Sequence, residues 1–387
     1  MTVTGRPLPV GSQGRRLLTA NWRLLTANWR LPTANWRLPT GDCRLPTANW
    51  RLLTSAWWLV LACTSPTQAA LTGAARLAEV YDVILDARFE RVDGLLNQAC
   101  PPAPDGACQA LRVVSLWWQI SINPESRALD RRFGELSAST IAANEAWTRR
   151  EPQRAEAWFY LAGAYAPRVQ WRVLRGERLG AARDGKRIKD ALERALQLDP
   201  TLNDAYFGIG LYHYYAGVAP AAAKLLRWLL FLPGGDQAKG LREMLQARDK
   251  GELLRGEADF QLHVVYLWYE HKTEDALDLL ARLDTRAPHN PIFLQRIAEI
   301  RDTYLHDHAA SAAAWRLLLA RAVAGAVYSA RTTEVRARLG LASELAGMNR
   351  TADAIDELQH VVDMRPIEPI GARERAEREL HAAIARQ

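Results

Sequence analysis

Eight histidines and four cysteines are the residue types in this chain best able to ligate a metal or attack a substrate. The densest histidine pair is His306 and His308, with Asp307 between them. Side chains two apart on a helix diverge, so this pair makes poor co-ligands. His213 stands between Tyr212 and Tyr214 and reads as a packed side chain. There is no HExxH, no GxxxxGK[ST] loop and no GxGxxG in a strand–helix context. No Ser or Cys sits in a recognisable nucleophile motif. The sequence therefore names no catalytic residue, no metal ligand and no cofactor, and argues against an enzyme. Cys100 and Cys108 flank Pro-Pro-Ala-Pro-Asp-Gly-Ala. That spacing suits a local disulfide in an oxidising compartment. Two free thiols beside a helix–helix turn are the alternative.

The densest charge is the run from Arg168 to Arg194. Nine basic residues stand there against Glu177, Asp184, Asp190 and Glu193, with Trp171 among them. One reading is a contact for an acidic or phosphorylated substrate, which would make the chain an enzyme or an accessory to one. The simpler reading is a solvated helix face, because Asp190 and Glu193 are neighbours of Lys189 and Arg194.

Net charge is +7, which suggests a polyanion partner until its distribution is examined. Residues 1–70 hold eight Arg and one Asp, so the remaining 42 basic and 42 acidic residues cancel. A neutral body gives no long-range steering of nucleic acid. No nucleic-acid partner is expected.

These side chains need helices to position them. Leu77–Leu85, Arg91–Ala99, Leu111–Ile120 and Phe133–Arg149 show helical spacing, with Asn123-Pro124 and Glu151-Pro152 as stops. Pro152, Pro200 and Pro288 each precede an anchor residue by six positions: Trp158, Tyr206 and Leu294. Aromatic, aliphatic and small residues recur on one helical face, as in Trp158, Leu161, Ala162, Tyr165 and again in Tyr206, Ile209, Gly210. Ala276, Leu280, Leu283 and Pro288 form a second helix of the same grammar, and Leu341, Ala342, Leu345, Ala354, Leu358, Val361 and Pro366 a last unit. Ala221–Leu232 is an apolar run read as a buried helix, and Asp236 is placed to cap the helix after it. Ala372–Gln387 reads as a solvent-facing cap on the stack.

This pattern resembles the tetratricopeptide repeat over most of 133–366. Val169–Lys186 departs from it as an insertion, and Arg338 stands where an aromatic is usual. The resemblance implies an all-α, right-handed solenoid of antiparallel helix pairs over 71–387. It also implies a concave groove lined by first helices, for a protein or peptide partner. Carried onto matching positions, that groove holds Phe207, Leu211, Tyr214 and Tyr215, then Gln261, Val265, Trp268 and Tyr269, then Gln295, Glu299, Asp302 and Thr303. Aromatics beside polar groups make good anchors for an extended or helical segment.

The amino-terminal leader is different. Arg16–Trp57 repeats a seven-residue unit, RLLTANW and variants. Pro32, Pro39 and Pro46 exclude a coiled coil. Near-identity at every position fits a tandem repeat translated from a misplaced start, or a disordered low-complexity arm over 1–50. The segment 51–69 resembles a secretion signal: Arg51, the apolar Leu52–Ala62, then small residues. Two routes compete. Cleavage before Ala70 gives a free periplasmic or secreted chain. Val60-Leu61-Ala62-Cys63 instead resembles a lipobox, with Cys63 lipidated and the chain anchored to a membrane as a lipoprotein.

Overall fold

The computed structural model describes residues 71–218 and 234–385, all inside the unit Gln68–Gln387. The repeat over 1–50, the signal-like 51–69 with Cys63, and the apolar run Ala221–Leu232 lie outside the described residues.

Among the described residues there are fifteen α-helices, one 3-10 turn at Phe89–Arg91 and no strand. The first four helices are α1 (Ala74–Leu85), α2 (Val92–Ala99), α3 (Asp105–Ile122) and α4 (Asp130–Arg150). Then come α5 (Ala155–Leu174) with α6 (Arg178–Leu198), and α7 (Ala205–Val218) with α8 (Gln237–Lys250). Three more pairs follow: α9 (Arg255–Trp268) with α10 (Thr273–Arg286), α11 (Pro291–Leu305) with α12 (His308–Val323), and α13 (Ala330–Gly347) with α14 (Thr351–Met364). α15 (Ala372–Ile384) closes the end, burying Ala372, Ala376, Leu380 and Ala383. Each helix from α5 onward packs on its chain neighbours, and the short loops within the described residues make the neighbours they join antiparallel.

The six-residue interval after a proline has a physical cause at two joints. The Trp158 indole N–H donates to the Pro152 carbonyl at 3.0 Å, and the Tyr206 hydroxyl donates to the Pro200 carbonyl at 3.1 Å. The anchor packs with its ring and ties the turn with its polar end. Leu294, at the third joint, is simply buried. There Asn290 takes over. Its side chain accepts from the Ile292 N–H at 3.1 Å, and Pro291 opens α11 where a missing N–H costs nothing. Asp236 caps α8 by accepting from the Lys239 N–H at 2.9 Å.

Small residues set the closest helix approach. A Cβ on Gly240 would lie 2.4 Å from the Tyr214 backbone N and 2.6 Å from the Gly210 carbonyl. Only glycine lets α7 and α8 meet backbone to backbone there.

The segment Val169–Lys186, read as an insertion, lengthens two helices rather than forming a loop. α5 runs on to Leu174 and α6 starts at Arg178, giving helices of 20 and 21 residues. Their basic residues pair internally. Arg168 and Arg172 both reach the buried Asp184 at 2.8 Å, and Arg175 holds Asp130 at 2.7 Å. Lys189 pairs with Glu193, and Arg187 donates to the Tyr165 hydroxyl at 2.9 Å.

Helices α1 and α3 fold back on the middle of the chain. Trp118 on α3 packs against Phe260 on α9 and Phe293 on α11, with ring centroids 5.1 and 6.3 Å away. Asn290 donates to the Leu85 carbonyl at 2.7 Å, and Asp86 accepts from the His289 N–H at 3.1 Å. One continuous core therefore runs from Leu71 to Leu380.

Candidate partner-binding face

The first helices α7, α9 and α11, with Tyr269 just past the end of α9, carry the residues that the repeat spacing assigns to a groove. They divide into buried and half-buried groups. Phe207 and Val265 are buried between helices, and Leu211 packs half-buried against both of their clusters. These three point into the α7–α8–α9 core, because that side of each helix meets the next pair. They correct the expectation that the whole set lines one groove.

The remaining residues form two regions. At the α7–α8–α9 end, Tyr214, Tyr215 and Tyr269 make mutual edge-to-face contacts with centroids 5.7 to 5.9 Å apart. Tyr214 is fully buried, while Tyr215 and Tyr269 are half-buried. The Tyr214 hydroxyl donates to Glu270 at 2.5 Å, and the Gln237 amide donates to both at 3.2 and 3.0 Å. Burial first, then the bond to Glu270, pushes the Tyr214 hydroxyl pKa up; burial does the same for Tyr215 and Tyr269. All three stay neutral donors. Trp268, at the end of α9, is half-buried against the main core.

The second region is polar and lies along α9, α11 and α13. Gln261 donates to Glu257 at 3.1 Å. Gln295 and Arg296 both hold Glu299, at 2.9 and 2.5 Å. Asp302 ends this row beside His308, at 3.2 Å. Thr303 is exposed.

This polar row is partly covered by the chain itself. Glu257 is buried and accepts from the Tyr81 hydroxyl of α1 at 3.0 Å. Burial raises the Glu257 pKa above the ordinary carboxylate value. Next to it, burial pulls the His263 pKa down to about 3, so its imidazole is neutral and bonds the Phe260 carbonyl. On α13, Arg336 donates to Asn123 and Glu125 at 2.9 Å and to the Ile122 carbonyl, gripping the end of α3. Asn123 also donates to Glu368 at 2.8 Å. The expected open trough is thus closed at Glu257, Phe260 and Phe293 by α1 and α3.

Sequence reasoning missed Arg336, Glu125, Glu257 and Gln237. Arg336 lies on the first helix of the last pair, so its place on this face was open to inference. Its partners, more than 200 residues away, were not. Arg338, which replaces the usual aromatic, forms ion pairs with Glu334 and Glu357 at 2.9 and 2.7 Å. Cys100, at the end of α2, and Cys108, in the first turn of α3, are joined as a disulfide, with Cα atoms 6.6 Å apart.

No protein-family model matches the sequence, and no curated protein matches it. Solved structures with similar folds include a chain of the APC/C hetero-tetramer Cut9–Hcn1, at 11% identity and a TM-score of 0.43 over 75% of this chain. This chain covers 46% of that one, about half its length. The C-terminal part of a TPR repeat-containing protein from Cytophaga hutchinsonii gives 11% identity and a TM-score of 0.37, covering 76% of this chain and 96% of that one. The human IFIT1 dimer with PPP-AAAA gives 13% and 0.40, covering 77% and 69%. The helix pairing described above stands on this chain's own packing.

Proposed function

We propose that this chain is a non-enzymatic scaffold that binds a protein segment on its first-helix face, at the α7–α8–α9 end. The observation that carries this reading is the Tyr214–Tyr215–Tyr269 cluster, with Gln237 and Glu270 at its edge. Rigid aromatic rings beside polar groups bury large area on binding at small entropic cost. The internal pairing of the Arg168–Arg194 stretch supports a scaffold over an enzyme for acidic substrates, since Arg168, Arg172 and Arg175 already hold carboxylates. Substituting Tyr215, Trp268 and Tyr269 by Ala tests the face; Tyr214 is excluded because its loss would open the core. The scaffold reading expects specific partners to be lost with these variants and retained with the second-helix variant Asp278→Ala. Equal recovery from both would refute it.

Export to a bacterial envelope, with cleavage before Ala70, is part of the same proposal. Two features support it. A disulfide suits an oxidising compartment. Leu71 is already buried, and Thr72 bonds Glu156 through its N–H and hydroxyl at 2.8 and 3.1 Å, so the folded body is anchored from that point. Intact mass of the exported chain discriminates a start at Ala70 from a lipidated Cys63, the structural-lipoprotein alternative.

A further inference from the structure

At the far end of the first-helix face, three helices each deliver one side chain to a single point. His308 Nδ1 lies 2.7 Å from Glu344 Oε2 and 3.2 Å from Asp302 Oδ1. One ligand atom from each of the three falls within 4.8 Å of the others. Asp302 comes from α11, His308 from the start of α12 and Glu344 from α13.

The surroundings hold the imidazole in place. His306 ends α11 in the left-handed region (φ 53°), and Asp307 caps α12 by accepting from the Ala310 N–H at 2.9 Å. That fixes His308 as the first residue of its helix. The ring lies against Gly347, where an added Cβ would stand 3.2 Å from the imidazole Cε1. A larger residue there would crowd the ring. Glu344 is buried, its side chain only 5% exposed, while Asp302 and His308 are 18% and 35% exposed. One side of the cluster is therefore closed by protein and the other faces solvent.

We propose that Asp302, His308 and Glu344 bind a divalent transition metal of the Zn(II) class, linking α11, α12 and α13. Imidazole nitrogen and carboxylate oxygen are ordinary ligands for it, with bonds of about 2.0–2.2 Å and tetrahedral geometry. That geometry sets neighbouring ligand atoms about 3.3 Å apart. The Asp302–His308 separation already fits, and the His308–Glu344 pair needs to open by only about half an ångström. A dication also neutralises both carboxylates, which a single protonated imidazole does not. Three protein ligands and a solvent-facing side leave a fourth position for water. His306, the other member of the histidine pair, takes no part.

The test uses the full, untagged chain stripped by a chelator. Calorimetry with Zn(II), and the visible absorption of Co(II), should show one saturable equivalent, with a rise in Tm on Zn(II) addition. His308→Ala should weaken binding by more than the roughly 10–100-fold seen when only outer-shell partners are lost. Asp302→Asn should weaken it as well, and His306→Ala should leave it unchanged. His308 is half-exposed at a helix start, so its variant is expected to fold, which circular dichroism checks. Three results would overturn the proposal: no saturable Zn(II) binding by the parent chain, equal binding by the His308 variant, or loss of binding on His306 substitution. Preference for Mg(II) or Ca(II) over Zn(II) would overturn the assigned metal class.

Discussion

The hydroxyl of Tyr81 donates to the carboxylate of Glu257 at 3.0 Å, across 176 residues of chain. This bond sits where α1 docks on α9, and both groups are buried. Burial raises the Glu257 pKa above its unfolded value, and burial followed by the neighbouring Glu257 charge raises that of Tyr81. A carboxyl with a raised folded pKa contributes stability in its protonated form. That contribution is complete below about pH 4.3 and is lost as pH rises through the folded pKa. Glu257→Gln removes the titration. The difference in Tm, variant minus parent, should therefore increase as pH rises from about 4 to about 7.5. A flat difference would show that burial does not raise the Glu257 pKa.

His263 carries the opposite slope. Its folded pKa, about 3, lies below the unfolded 6.5. The unfolded chain binds the extra proton between those values, so stability falls as pH drops from about 6.5 towards 3. Each tenfold difference in proton affinity is worth about 1.4 kcal/mol, so the loss should reach a few kcal/mol at most. His263→Gln should flatten that acid limb in a denaturant titration taken at several pH values.

Asp204 is a buried staple between α7 and the loop before α9. Its carboxylate accepts from the N–H groups of Glu252, Leu253 and Leu254 at 2.8 to 2.9 Å. Asp204→Ala leaves those donors unsatisfied and should cost about 3 kcal/mol or more, with Asp204→Asn milder. Urea unfolding measures both.

The α7–α8 contact admits no side chain at its centre. Gly240→Ala would place a methyl 2.4 Å from backbone, so the helices must separate. The expected result is a drop in Tm of several degrees or more and faster amide exchange in both helices. Gly94→Ala, with nothing within 4 Å of the new methyl, is the matched control and should be neutral or stabilising.

How much of this was legible in the sequence follows from the range of each interaction. Helix ends were readable, because Pro124, Pro152 and the Asp236 cap act on their own neighbours. The Trp158 and Tyr206 anchors were readable as well, since each bonds a carbonyl six residues back. The extension of α5 and α6 looked like an insertion, because Asp184 neutralises Arg168 and Arg172 only once the two helices lie side by side. The closure of the trough was illegible for the same reason at larger scale. Nothing near Trp118 signals Phe260, and nothing near Glu125 signals Arg336. His306 and His308 stand out as a pair, yet Asp302 and Glu344, from two other helices, are the groups beside His308.

Site-specific photo-crosslinking in cells producing the chain tests the scaffold reading most directly. A photoreactive residue is placed in turn at Tyr215, Trp268 and Tyr269, and at the exposed second-helix position Leu317 as control. The account predicts discrete adducts, with the same partner protein, at the three first-helix positions and none at Leu317. Adducts at Leu317 alone, or no adduct at any aromatic position, would contradict it.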